Sequence, residues 1–208
     1  MAETIVEKKV RKRKPYAVVL DADDVVFDFI GGLCQLYNKH HGTALSPSDL
    51  TEWDWKNLDF KDARGNVVRG VELRKEFEEY ENGIYVGLEP VPYAIQALNL
   101  IRKLGYKIFI ITARHCSFGK HTELSLMFKG IPHDEVFHKE DMSIEAEKYK
   151  VAKIDELSKS HNIALFADDK LSTAQAVASN CKVDRVYLVN RPHNKNMEAG
   201  EDVTRIND

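Results

Sequence analysis

Four short apolar runs recur along the chain, and three of them stop at residues that carry chemistry. The first, Ala17-Val18-Val19-Leu20, ends abruptly at Asp21, with Asp23, Asp24 and Asp28 close behind. Rich in β-branched valine and bounded in front by Lys14-Pro15, it reads as a buried strand of a parallel sheet. The acids then fall at its carboxyl end, where open α/β sheets form their ligand crevices. Carboxylates packed this closely repel, and burial strengthens the repulsion unless a cation joins them. Taken alone, the stretch fits a solvated acidic turn equally well.

The rest of the chain supplies partners for those acids. Lys107-Ile108-Phe109-Ile110-Ile111 runs into Thr112-Ala113-Arg114, and Ile163-Ala164-Leu165-Phe166-Ala167 runs into Asp168-Asp169. A last run, Val186–Val189, leads into the polar Asn190-Arg191-Pro192-His193-Asn194. Between the runs lie helical periodicities: Phe29, Leu33, Leu36 and Tyr37 on one face, ending near His41-Gly42; Ile95, Leu98 and Ile101, with Pro92 in the first turn and a stop at Gly105; a helix over 120–129; Val151, Ile154 and Leu157; and a helix over 172–180. Glu135-Val136-Phe137 fits a short strand. Alternation of this kind gives an α/β fold with a parallel sheet and right-handed crossovers. The segment from about 43 to 90 breaks the rhythm. It is rich in aromatics, lacks a buried-strand run and carries a turn-like Asp62-Ala63-Arg64-Gly65-Asn66, so a small, mainly helical insertion is expected there.

Composition narrows the function classes. The 208 residues, 43% hydrophobic and 30% charged, suit an ordinary globular protein of one domain with an insertion, or two small domains. A formal net charge of −3 gives no general pull toward nucleic acid or anionic membrane. No apolar stretch approaches the ~20 residues needed to cross a bilayer, so neither a span nor a secretory leader is expected. The three cysteines, Cys34, Cys116 and Cys181, are scattered, which points to a reducing cytoplasm and away from disulfides or zinc. His115, His121 and His138 lack ligand spacing and are expected on the surface. Lys8, Lys9, Arg11, Lys12, Arg13 and Lys14 form a basic run, expected to be a solvated tail, with a nucleic-acid contact or a localisation tag as the alternatives.

Clustered carboxylates, a hydroxyl and a lysine at one sheet edge suit magnesium-assisted phosphoryl transfer. Mg²⁺ takes oxygen ligands, and Asp21 and Asp168 are placed to provide them. Asp21 is the candidate nucleophile, forming an aspartyl-phosphate. Asp23 is the candidate acid and base, while Thr112 and a lysine hold the phosphoryl oxygens.

This order of motifs resembles the haloacid dehalogenase superfamily of phosphatases, and within it the 5'(3')-deoxyribonucleotidases and their phage and bacterial relatives. Asp21-Ala22-Asp23 matches the first motif, Thr112 the second and Asp168-Asp169 the fourth. Gly31-Gly32, Tyr37-Asn38, Pro90-Val91-Pro92, Gly105-Tyr106, Lys170 and Arg191-Pro192 with Asn194 add to the likeness, which covers most of the chain from about residue 15. The resemblance implies a Rossmann-like three-layer core (15–28 and 91–208) with a small helical cap (29–90) inserted after the first strand, behind a tail (1–14). It implies Mg²⁺ on Asp21, Asp23 and Asp168 with Asp169 behind them, and hydrolysis of nucleoside monophosphates. Phe29 stands where the nucleotidases place an aromatic near the base, and Ala113 and Arg114 fall against the substrate. For Arg114 the alternative is capping a strand end, and for Phe29 a place in the helix packing. Trp53 and Trp55 are expected in the cap core, with stacking on a base as the alternative.

The third-motif lysine is assigned to Lys150, at the start of the helix before the Ile163 strand, with Lys148, Lys153 and Lys139 as alternatives. Asp24 departs from the pattern, since the nucleotidases commonly carry glycine there; aspartate tolerates tight turns. Asp28 is expected to anchor the turn into the following helix. Rival readings are a polynucleotide 3'-end phosphatase, a phosphatase for another small phosphomonoester, an inactive relative and a phospho-acceptor receiver domain. The late acidic pair and the early insertion disfavour the receiver. A nucleotide-sized phosphomonoester is the expected partner, without membrane and with a homodimer admissible.

Overall fold

A computed structural model describes residues 13–207. Of the basic run, Lys8, Lys9, Arg11 and Lys12 lie outside the described residues, whereas Lys14 donates from Nζ to the Ser158 carbonyl at 2.8 Å. Strand β1 (Tyr16–Leu20) is followed by α1 (Phe29–His41), a hairpin of β2 (Asp59–Lys61) and β3 (Val67–Arg69), and α2 (Gly70–Gly87). Then come α3 (Ala94–Lys103), β4 (Lys107–His115), α4 (Gly119–Phe128), β5 (Glu135–Lys139), α5 (Ala146–Ser158), β6 (Asn162–Asp168), α6 (Leu171–Asn180), β7 (Val186–Val189) and β8 (Thr204–Ile206).

Six strands form one parallel sheet in the order β5-β4-β1-β6-β7-β8. β1 lies between β4 and β6, and helices pack on both faces of the sheet there, which is why its sequence is an unbroken apolar run rather than an alternating one. Successive side chains still point to opposite faces. Val18 and Leu20 join Ile108, Ile110, Leu98 and Leu126 on one side, while Ala17 and Val19 join Phe109, Ile111, Ile154 and Val177 on the other. The first of these clusters continues without a break into the segment between β1 and α3, through Leu33, Leu50, Leu73 and Leu88.

Helix α1 ends as expected. Gly42 adopts φ +66°, the left-handed conformation that glycine enters without a Cβ penalty, and its N–H donates to the Asn38 carbonyl. Asp28 caps the start of α1, accepting from the Gly31 N–H at 3.0 Å. A Cβ at Gly31 would lie 2.0 Å from that carboxylate, so only glycine lets the cap close.

Four expectations need correction. The inserted segment contains the β2–β3 hairpin as well as helices; its strands are three residues long, with one buried side chain each (Phe60 and Val68), too little to register as an apolar run. Pro92 precedes α3 rather than sitting in its first turn: Val91 is tied to the Val26 carbonyl, Tyr93 turns to φ +63°, and the helix starts at Ala94. His115, His121 and His138 are half-buried, not on the surface, and Nδ1 of His121 and Nε2 of His138 are fully enclosed. Trp55 is in the core as expected, whereas Trp53 is 44% exposed.

Candidate active site

The carboxyl ends of β1, β4 and β6 bring the three chemical run-endings together. Asp21 follows β1, with its N–H bonded to the Ala167 carbonyl at 2.9 Å. Asp168 ends β6, and α5 approaches from below with Lys150. The Lys150 Nζ lies 2.8 Å from Asp21 Oδ1 and 2.7 Å from Asp168 Oδ2, with all three side chains buried. Of the candidate lysines this is the one brought to Asp21. Lys148 is exposed and pairs with Glu145, Lys153 pairs with Glu156 over the Phe137 ring, and Lys139 sits at the end of β5 outside the pocket lining.

Carboxylate oxygens of Asp21, Asp168 and Asp169 lie within 4.8 Å of one another. Burial pushes the Asp21 carboxyl well above the usual carboxylate range, Lys150 opposes the shift, and Asp168, Asp169 and Asp23 add to it. Asp169 is pushed the same way by burial and by Asp168. Burial also works against the charge on Lys150, but Asp168 and Asp21 outweigh it and hold the ammonium above the ordinary lysine value. One ammonium thus faces three buried acids. Asp169 is further held by His193, whose Nε2 lies 3.0 Å from Oδ2, while its Oδ1 is buried with no protein partner. Asn194 fixes the backbone there, donating from Nδ2 to the Asp169 carbonyl at 2.7 Å and to the Val189 carbonyl at 2.8 Å.

The expected metal set was Asp21, Asp23 and Asp168. Asp21 and Asp168 of that set converge with Asp169, and Asp23 is paired with Arg114. Arg114 Nε donates to Asp23 Oδ2 at 3.0 Å, and its Nη2 donates to Oδ1. Arg114 is buried, and so is Thr112, whose hydroxyl accepts the Arg114 N–H at 3.2 Å. Asp24 has φ +55°, the left-handed turn in which glycine would be at home, and its Oδ1 accepts the Ile30 N–H at 3.0 Å.

A cavity of about 200 Å³ opens over this cluster. Asp21, Asp23, Ala113 and Lys150 line its floor, and Phe29, Ile30, Trp53 and Trp55 line it from the inserted segment. Phe29 also packs edge-on to Phe77, so it serves both the packing and the pocket. Sequence reasoning gave no role to two residues that line the cavity, Lys170 and His193. Lys170 lies over the Trp53 ring at 5.2 Å and pairs with Glu147 at 2.7 Å, and His193 meets Trp53 edge-on. Both stood within motifs already singled out, Asp168-Asp169-Lys170 and Arg191-Pro192-His193-Asn194, but nothing local in either motif shows that Trp53 comes to meet them.

The parallel six-stranded fold with its inserted segment is shared with haloacid dehalogenase-like proteins of known structure. A haloacid dehalogenase-like family hydrolase from Streptococcus pneumoniae superposes with a TM-score of 0.60 at 10% identity, covering 92% of this chain and 93% of that one. The class C acid phosphatase from Bacillus anthracis, solved with tungstate bound, gives a TM-score of 0.50 at 16% identity over 83% of this chain and 66% of that one. The family described as "5' nucleotidase, deoxy (Pyrimidine), cytosolic type C protein" matches residues 15–173, and the chain belongs to it. A Bacillus cereus protein named "Putative nucleotidase" is 39% identical over 54 residues, a match spanning 26% of this chain and 29% of that protein. Among the described residues no helix is long and apolar enough to cross a membrane.

Proposed function

We propose that the chain is a Mg²⁺-dependent phosphatase of (deoxy)nucleoside monophosphates that works through an aspartyl-phosphate on Asp21. The observation that carries this is the placement of Asp21 on the floor of an open cavity, beside Lys150 and the Asp168–Asp169 pair, in a chain of the nucleotidase family. The donor set suits a hard divalent cation: three buried carboxylates, one of them with an orphaned oxygen, balanced by a single ammonium. Asp21, Asp168 and Asp169 would hold it. When bound, Mg²⁺ neutralises phosphate charge that would otherwise repel a carboxylate nucleophile.

The chain's own groups then divide the work. Asp21 attacks phosphorus; the new Asp21–phosphorus bond forms as the ester bond to the leaving oxygen breaks, and Asp23 gives that oxygen its proton. Water next attacks the phosphorus, Asp23 takes the water's proton, and inorganic phosphate leaves with Asp21 regenerated. Lys150 holds Asp21 in place between the two half-reactions and offers its ammonium to phosphoryl charge. Phe29, Trp53 and Trp55, from a cap taken as residues 29–90, close the cavity over a core of 15–28 and 91–208 and meet the nucleoside. Three free cysteines are consistent with a cytoplasmic setting.

Phosphate release should be measured from 5'- and 3'-(deoxy)nucleotides and from a 3'-phosphorylated oligonucleotide, with Mg²⁺ or EDTA. Release from mononucleotides that EDTA abolishes is expected. Release from the oligonucleotide alone, or from none of the substrates, would refute the reading.

A further inference from the structure

We infer that Arg114 is a positioning residue for Asp23, not a substrate-binding one. The inference rests on the reading of Asp23 as the proton donor and acceptor. Asp23 shares the lining of one cavity with Asp21, Asp24 and Asp169. Its side chain is 27% exposed, and a buried cation on its protein side holds it against swinging toward solvent and away from those three acids. Arg114 is that cation. Its planar fork meets both carboxylate oxygens, which fixes the plane of the carboxylate as well as its place. A third donor, Nη1, is spent on Thr122 Oγ1 at 3.0 Å on α4.

The guanidinium is itself enclosed. The Tyr85 ring on α2 lies 4.0 Å from the guanidinium carbon, and the Phe27 ring lies 5.5 Å away. Arg114 is 4% exposed and does not line the cavity that Asp21 and Asp23 share. A group so placed reaches a substrate only through Asp23. The cluster thus has two cations with separate duties: Lys150 serves Asp21 and Asp168, and Arg114 serves Asp23. Because Tyr85 belongs to the inserted segment, that segment also helps to aim the proton-transfer group.

The test uses the full chain and compares kcat/KM for a deoxynucleoside monophosphate with kcat/KM for p-nitrophenyl phosphate, whose leaving group departs without needing a proton. Arg114→Lys keeps the charge and loses the fork. It should lower kcat/KM for the nucleotide by ~10²-fold, the scale of lost general acid catalysis, and for the aryl ester by less than ~10-fold. Asp23→Asn should show the same split, and the double variant should match Asp23→Asn alone. Tyr85→Leu, which removes no polar partner of Asp23, should show a weaker form of the split and covers the case in which Arg114→Lys does not fold. Equal losses on both substrates, or a double variant clearly worse than Asp23→Asn, would overturn the inference. If Asp23→Asn itself shows no split, the acid–base reading of Asp23 fails, and this inference fails with it.

Discussion

Lys150 stands 2.8 Å from Asp21 and shares its ammonium with Asp168, so the candidate nucleophile and the acid that ends β6 are tied through one buried side chain. Removing that cation leaves acids buried without compensation. Lys150→Met should therefore destabilise the protein by about 3–5 kcal/mol, the usual cost of breaking a buried pair from one side. Urea unfolding measures this. Added Mg²⁺ should recover part of the loss, while turnover stays at least ~100-fold below wild type.

Metal binding should be visible without turnover. A cation that binds only the folded cluster raises stability by RT ln(1 + [L]/Kd), about 2.7 kcal/mol at a hundredfold excess over Kd. Thermal melts of the wild type should rise with Mg²⁺ and fall back with EDTA. In Asp169→Asn the rise should need a higher Mg²⁺ concentration, because one of the three converging oxygens is no longer charged.

Asp24 allows a backbone test. At φ +55° an alanine pays a left-handed penalty of roughly 1–2 kcal/mol that glycine avoids. Both Asp24→Gly and Asp24→Ala remove the carboxylate, so its charge and its bond to Ile30 cancel in the comparison. Asp24→Gly should be the more stable of the two by about that amount in chemical denaturation. Equal stability would show that the turn relaxes out of the left-handed region.

The hairpin turn sets an acid limit. The Asp62 carboxylate accepts the N–H groups of Ala44, Arg64 and Asn66 and the Asn66 side-chain amide. These bonds favour the ionised form and hold its pKa down at about 2, although desolvation pulls the other way. Its contribution to stability is therefore complete above its ordinary value near 4 and is lost as pH falls through the folded value of about 2. Stability against pH should flatten in that acid window in Asp62→Asn relative to wild type.

How much of this was legible in the sequence depended on scale. Buried parallel strands are written as solid apolar runs, so β1, β4, β6 and β7 could be read directly, with the acids that end β1 and β6. The β2–β3 hairpin and β8 have three residues each, below the length at which a pattern stands out. Asp21 and Asp168 could be anticipated because each follows or ends an apolar run, whereas Lys150 could be named only as one of four lysines, since a helix and not a strand end carries it. The pairing of Asp23 with Arg114 could not, because it joins residues 91 positions apart and depends on a guanidinium turning inward beneath Tyr85. The same holds for Lys170 and His193, which meet Trp53 only after the inserted segment folds back over the sheet.

The central claim is that Asp21 carries the phosphoryl group. A single turnover with a phosphorus-labelled deoxynucleoside monophosphate, quenched in acid, tests it most directly, since an aspartyl-phosphate survives acid and is released by base. Label bound to the wild-type protein, released by base and absent from an Asp21→Asn variant that melts normally but does not turn over, is the expected result. Full turnover by Asp21→Asn, or wild-type turnover with no label ever on the protein, would contradict the account.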